Sequence, residues 1–304
     1  MAAELAACAS ADPQRTVLDT APTTIVAFGD MPYRVRDIPA FEALLGRISA
    51  RKPDVTIHVG DIKPSNWPCS EELFRIQRDY MNSVDGPLVF TPGDNEWTDC
   101  HVTKAGGHDP REHLSVLRTR FFPDARSLGR APLLLERQSD LSKAHSQMVE
   151  NARWRMNGIR FVTAHVVGSN NGLNRDVPGA VEEFEGRDAA NVAWIEEGFA
   201  FARSEGAAAV VLAFQADPYQ LLGVGGGFRG TLAAIAKGAK TFGGPILVVH
   251  GDSHVFTFDM PFQDGFGNIL ENVQPVQVPG ALDIRALQIR IDPEARRMFD
   301  VSLF

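Results

Sequence analysis

Short apolar runs and helix-spaced apolar positions alternate through the first hundred residues. Thr23–Phe28 is a β-rich apolar run that closes on Gly29-Asp30. Ile38, Phe41, Leu44, Leu45 and Ile48 then recur at helical spacing, which predicts an amphipathic helix over 37–50. Pro53-Asp54 turns the chain into a second apolar strand, Val55–Val59, closing on Gly60-Asp61. A helix over 70–84 follows, with Ser70 as its cap and Leu73, Phe74, Tyr80 and Val84 as its buried face. Pro87–Thr91 forms a third strand and closes on Pro92-Gly93-Asp94. Strands alternating with helices of this length predict a βαβαβ unit with a parallel sheet.

The segment 100–157 is rich in Gly, Pro and Arg, carries one helix near 110–121, and reads as a long excursion that roofs the strand ends. Beyond it the pattern predicts strands at Gly158–Val167, Ala207–Phe214 and Pro245–His250. Helices are predicted at 188–204, carrying Trp194, Ile195 and Phe199, and at 228–241. Val255–Phe258, Leu287–Ile291 and Phe299–Leu303 complete the set as antiparallel strands. No repeat, low-complexity tract or linker interrupts 21–304, which reads as one domain; residues 1–20 read as a disordered or processed segment.

Composition narrows the function classes. The 304 residues suffice for one large core or two small ones, and no apolar run reaches the ~18–20 residues of a membrane helix. A formal net charge of −8 argues against a nucleic-acid partner bound by phosphate neutralisation. An acidic protein still binds a small phosphate ester where metal ions reverse the charge locally. Leu5-Ala6-Ala7-Cys8 is similar to a bacterial lipobox, which favours a periplasmic, secreted or lipid-anchored location over the cytoplasm; an alanine-rich tail is the other reading. Cys69 and Cys100 each follow a Gly-Asp motif on what read as neighbouring loops. A disulfide between them, implying an oxidising compartment, and two buried thiols are both open.

The candidate chemistry lies in the strand ends. Asp30, Asp61 and Asp94 close three successive strands, and in a parallel sheet all such ends face the edge where ligands bind. Carboxylates gathered there repel one another unless a cation sits among them. A fourth strand end adds Asp252 and His254. Carboxylates with imidazole suit Mn, Fe or Zn better than Ca.

In order and spacing these motifs resemble the calcineurin-like metallophosphoesterases from about residue 23 to 260. The family pattern is Asp-x-His, Gly-Asp, Gly-Asn-His-(Asp/Glu), a lone late His, and Gly-His-x-His. This chain reads Asp30-Met31-Pro32, Gly60-Asp61, Gly93-Asp94-Asn95-Glu96, Gln215 and Gly251-Asp252-Ser253-His254. The run Thr-Pro-Gly-Asp-Asn-Glu-Trp over 91–97 looks like the mark of a divergent bacterial branch. The resemblance implies an α/β fold, an αββα sandwich with mixed sheets, and hydrolysis of phosphate mono- or diesters at two metal ions. It implies that Asp61 bridges the ions, that Asp30 and His254 complete one site, and that Asp94, Asp252 and Gln215 hold the other. Pro32 stands where the family has a ligand His. Oxygen-rich ligands of this kind shift the preference toward Mn, Fe or Mg over Zn.

Asn95 occupies the position of the family's catalytic His and cannot transfer a proton, so His165 and His250 are the candidate acids. His58 reads as structural and His101 as a surface residue, with lining the substrate entrance as the alternative. Trp67 and Trp97 read as packing on the sheet rim, with stacking on a substrate ring as the alternative. The Gly-Asp-Ser at 251–253 lies too late for a GDSL-type esterase, and no Gly-x-Ser-x-Gly elbow is present. The altered ligands leave one rival reading, a non-catalytic metal-containing protein that binds a phosphorylated or anionic ligand.

Overall fold

In the computed structural model the described residues are 21–219 and 226–304. The lipobox-like Leu5–Cys8 lies outside them. No helix among the described residues is long and apolar enough to cross a membrane.

Two mixed sheets face one another. The first has the order β12-β11-β1-β2-β3, built from β1 (Thr23–Phe28), β2 (Val55–His58), β3 (Leu88–Phe90), β11 (Leu287–Ile291) and β12 (Phe299–Leu303). Strands β1, β2 and β3 are parallel; β11 and β12 extend the sheet antiparallel. The second sheet has the order β4-β5-β6-β7-β8-β10-β9. Its strands are β4 (Glu136–Arg137), β5 (Ala152–Met156), β6 (Ile159–Thr163), β7 (Ala209–Ala213), β8 (Ile246–His250), β9 (Thr257–Phe258) and β10 (Val273–Gln277). Here β6, β7, β8 and β10 are parallel, and β4, β5 and β9 run antiparallel to their neighbours.

Strand periodicity sorts the core into layers. Ile25 and Ala27 on β1 and Ile57 on β2 point between the sheets, where they meet Phe161, Val211, Leu247 and Val249. Val26 and Phe28 point outward, onto Phe41, Leu44 and Ile48 of α1 (Ile38–Arg51), Phe74 of α2 (Glu71–Asn82) and Leu117 of α3 (Pro110–Phe121). On the far side Val162, Val210, Leu212 and Val248 meet Trp194, Ile195 and Phe199 of α4 (Ala180–Ser204) and Ile235 of α5 (Arg229–Phe242). The result is an αββα sandwich, and each of these large side chains contributes about 1.5–3 kcal/mol by leaving water.

Local signals set the element ends. Ser70 accepts a bond from Leu73 N at 3.2 Å to cap α2, and Asp109 accepts from Arg111 N at 2.8 Å, with Pro110 opening α3. Three departures from the sequence reading stand out. The excursion 100–157 contains β4 and β5, and β5 joins β6 through Asn157-Gly158, both at positive φ, as a two-residue hairpin turn requires. Helix α4 starts at Ala180, ahead of the predicted 188, and β10 was not foreseen at all.

Candidate metal centre

The C-terminal ends of β1, β2, β3 and β8 meet at one edge of the sandwich. Asp30, Asp61 and His254 place donor atoms within 4.8 Å of one another, and so do Asp61, Asp94 and Asp252. Asp61 belongs to both groups. The loops are bonded to each other directly: Asp252 N donates to Asp30 Oδ1 at 3.2 Å, and Asn95 N donates to Asp61 Oδ1 at 3.2 Å. His254 Nε2 lies 3.6 Å from Asp30 Oδ1.

The backbone is distorted where these side chains leave it. Asp30 (φ 55), Asp61 (φ 56), Asp252 (φ 75) and His254 (φ 64) all occupy the left-handed region. Such conformations cost of order 1 kcal/mol or more each in a non-glycine residue and collect at functional sites. Two glycines allow the close approach. Gly60 sits at φ +88, where a Cβ would lie 2.5 Å from Gly93 N, and a Cβ on Gly93 would overlap Asp61 Oδ1.

The electrostatics call for a cation. Asp30, Asp61, Asp94 and Glu96 are all buried. Burial raises Asp30 and Asp61 well above the usual carboxylate range, and Asp252 adds to it for Asp30, Asp94 for Asp61. Burial pushes Glu96 up to about 7, against the pull of the Gly93 N–H and Lys63. Asp252 rises to about 7 through burial and then Asp94. Burial lowers His254 below its ordinary value, so it is a neutral imidazole with a lone pair to offer. A set of buried carboxyls held this close, with an imidazole among them, fits a pair of divalent or transition-metal ions.

The remaining predicted residues take varied places. Gln215 is in the cluster, but its Nε2 faces Asp94 Oδ1 (3.4 Å) and Asp252 Oδ1 (3.3 Å), while its Oε1 accepts from Gly168 N at 2.5 Å. It acts here as a hydrogen-bond donor to the carboxylates; an amide flip would be needed to present the oxygen. Asn95 Nδ2 donates to Asp61 Oδ2 at 2.7 Å. His165 is fully buried, with Nδ1 2.7 Å from Glu150 Oε1, which also pairs with Arg118. Its ring lies against Trp97, 5.4 Å between centroids. His250 ends β8 and packs on Phe214; the strand stops there, because the chain turns at Gly251-Asp252, so His250 does not share a face with Asp252. Burial lowers both imidazoles below their ordinary value.

His58 accepts a bond from Gly60 N at 3.1 Å between Phe28 and Phe90, and burial takes it down to about 3. His101 is exposed and lines a cavity beside the centre, bonded through Nδ1 to Thr98 O at 2.7 Å. Trp97 is buried under the loop, with the Arg187 guanidinium 5.2 Å above its ring, and Trp67 is half-buried. Cys69 and Cys100 are joined by a disulfide with Cα atoms 5.8 Å apart, which ties the loop after β2 to the loop after β3.

Four further residues brace the site, and two of them, Tyr33 and Lys63, escaped the sequence reading. Tyr33 donates its hydroxyl to Asp61 Oδ2 at 2.8 Å, accepts from Asn95 Nδ2 at 2.9 Å, and meets His254 edge-on. Glu96 accepts from Asp61 N (3.0 Å) and Gly93 N (2.8 Å), bracing two loops. Ser169 donates to Asp94 Oδ2 at 2.5 Å. Lys63 is a completely buried ammonium beside these carboxyls, its Nζ bonded to Pro64 O at 3.2 Å. Tyr33 and Lys63 lie within three residues of a Gly-Asp aspartate, and that proximity was the available signal.

No protein-family model matches the chain, and no curated protein resembles it in sequence. Among solved structures it is similar to a dimetal phosphatase from Danio rerio, at 9% identity and a TM-score of 0.56, over 92% of this chain and 98% of that one. Likeness at that identity shows a shared fold, the αββα sandwich with mixed sheets.

Proposed function

We propose that the chain is a metal-dependent phosphoesterase of the calcineurin-like superfamily, acting on phosphate mono- or diesters at a two-metal centre. The observation that carries this reading is the pair of donor groups sharing Asp61. Asp30, Asp61 and His254 would hold one ion, and Asp61, Asp94 and Asp252 the other. The oxygen-rich set favours Mn, Fe or Mg over Zn. A fold neighbour that is itself a dimetal phosphatase supports the reading.

Two bound ions supply an activated water and a clamp on phosphoryl oxygens. The protein's own groups do the rest. Asp61 is oriented from both sides, by Asn95 N on Oδ1 and by Tyr33 and Asn95 Nδ2 on Oδ2. Glu96 fixes the backbone on which Asp61 and Asp94 stand. Asn95 Nδ2 gives one proton to Asp61 Oδ2 and the other to the Tyr33 hydroxyl, which gives its own to Asp61, so the two residues act by holding Asp61 in place. Asn95 carries no transferable proton, which favours esters with a good leaving group.

Protein loaded with Mn²⁺ or Fe is screened on aryl phosphate mono- and diesters, with Asp61→Asn as the control. Turnover abolished by that substitution supports the enzyme. Because Asn95 and Gln215 replace proton-transferring or ligating imidazoles of the family pattern, a binding protein is the second reading; tight binding of phosphate esters without turnover would establish it. The Cys69–Cys100 disulfide supports a location in an oxidising compartment.

A further inference from the structure

A cavity of about 100 Å³ opens beside the centre, between segments 97–111 and 169–183. It reaches the second donor group through two of its own lining residues. Ser169 Oγ donates to Asp94 Oδ2 at 2.5 Å, and Thr98 Oγ1 donates to Asp94 O at 2.8 Å. Whatever fills the cavity therefore abuts Asp94.

The wall is built to hold its shape. Ser169, Asn170 and Asn171 run consecutively at φ 50, 56 and 55, a left-handed stretch rare outside glycine. Arg187 holds it in place, donating to Asn171 Oδ1 at 2.6 Å, Asn171 O at 2.8 Å and His165 O at 3.0 Å. The stretch aims Ser169 at the cavity and at Asp94 together.

Size and charge limit the occupant. Much of the lining is apolar, from Trp97, Pro110, Val177, Pro178 and Ala180. An apolar cavity of about 150 Å³ takes benzene, so this one encloses about four heavy atoms, the inner edge of a ring whose remainder stays at the mouth. Two of the charged lining residues are already matched: Glu183 pairs with Arg187 at 2.8 Å and Arg111 with Asp109 at 2.7 Å. Asp99 also lines the cavity, and among the described residues no basic side chain forms an ion pair with it. A second anion there would meet the Asp99 carboxyl, which burial and then Asp94 raise to about 7 against the pull of Lys63 and His101, in a confined, poorly hydrated space.

We propose that this cavity is the leaving-group subsite, selecting phosphate monoesters whose alcohol is ring-sized or smaller, largely apolar and free of negative charge. The proposal rests on the phosphoesterase reading, and binding separates the two without turnover. Phenylphosphonate, 4-carboxyphenylphosphonate and inorganic phosphate are titrated calorimetrically into Mn²⁺-loaded protein. Phenylphosphonate binds about tenfold or more tightly than inorganic phosphate, as expected for an aryl group leaving water. The carboxylated analogue loses about tenfold of that, and Asp99→Asn restores most of it. Ala180→Phe, which fills the cavity from the first turn of α4, lowers the ratio of phenylphosphonate to phosphate affinity about tenfold. If phosphate binds but phenylphosphonate is no tighter, or if Ala180→Phe leaves the ratio untouched, the subsite is overturned while the enzyme reading stands. If neither phosphate nor phosphonate binds the loaded protein, both fall.

Discussion

Asp61→Asn should have opposite effects on stability with and without metal. In the metal-free protein Asp61 is a buried carboxyl beside Asp94, Glu96, Asp30 and Asp252, and their repulsion with its burial raises its pKa. Two routes give the size of that penalty. Glu96, fully buried in the same cluster, moves from 4.5 to about 7, which corresponds to about 3 kcal/mol at alkaline pH. A like-charge pair about 5 Å apart at an effective dielectric constant near 20 likewise costs about 3 kcal/mol. The amide removes the charge but places an NH₂ where one acceptor stood, facing Tyr33 and Asn95, at a cost of about 1 kcal/mol. The net gain is about 2 kcal/mol, or roughly 3 °C in Tm for a chain of 304 residues.

The pH dependence follows from the direction of the shifts. A carboxyl whose folded pKa is raised stabilises the fold fully below its unfolded value, near 4, and that contribution is lost as pH climbs through the folded value. With Glu96 and Asp252 at about 7, chelated wild type should weaken between pH 5 and 8. Thermal scans in EDTA should therefore show Asp61→Asn melting above wild type at pH 8, with the gap nearly closed at pH 5. Saturating Mn²⁺ should reverse the order, because an ion at a thousand times its Kd adds about 4 kcal/mol to the wild type and much less to the variant. Chelated Asp61→Asn melting at or below wild type at pH 8 would refute the reasoning.

Other outcomes follow from the same geometry. Metal analysis of protein purified without chelator should give about two transition-metal ions per chain, and Asp94→Ala should lose metal more readily than Asn95→Ala, since only the first removes a charged donor. Tyr33→Phe should lower kcat about tenfold while metal content measured by mass spectrometry holds, because Asp61 Oδ2 loses one of its two side-chain donors. Gly93→Ala should abolish metal binding, because its Cβ would overlap Asp61 Oδ1. Replacing both Cys69 and Cys100 by Ser should cost about 3–4 kcal/mol in chemical denaturation, from a closed loop with a sequence separation of 31.

The first half of the fold was legible because its strands are buried on both faces and each closes on Gly-Asp, so apolar runs and turn signals coincide at β1, β2 and β3. Strand β5 hid behind its charges: Arg153 and Arg155 break the apolar run, although Arg153 is itself buried and paired with Glu136. Pro275 disguised β10, since proline lacks the N–H that an interior strand uses. The aspartates of the centre were readable one strand end at a time. Tyr33 and the cavity were not, because they depend on how loops from β1, β3 and β6 fold back across the edge, and no periodicity encodes that. The same limit holds for His165 and His250: position near a strand end is visible in sequence, but the Glu150 partner and the turn at Gly251 are not.

Charge links the carboxyls of the centre to one another. Asp252, beside Asp30, Asp61, Asp94 and Glu96, makes five carboxyls at one edge, with Lys63 as the only ammonium that burial brings among them in the described residues. One divalent ion would leave that group two charges short of balance, whereas two divalent ions with Lys63 neutralise it when every carboxyl is ionised. Burial lowers Lys63 below its ordinary value while Glu96, Asp61, Asp99 and Asp94 hold it up, so its charge depends on the same carboxylates it offsets. Lys63→Met would remove that charge, and the centre would then bind its second ion more tightly while its carboxyls were harder to ionise before metal arrived. The proton release on metal loading, read by calorimetry in buffers of different ionisation enthalpy, should rise in the variant; an unchanged proton count would mean that Lys63 does not share the field of the centre.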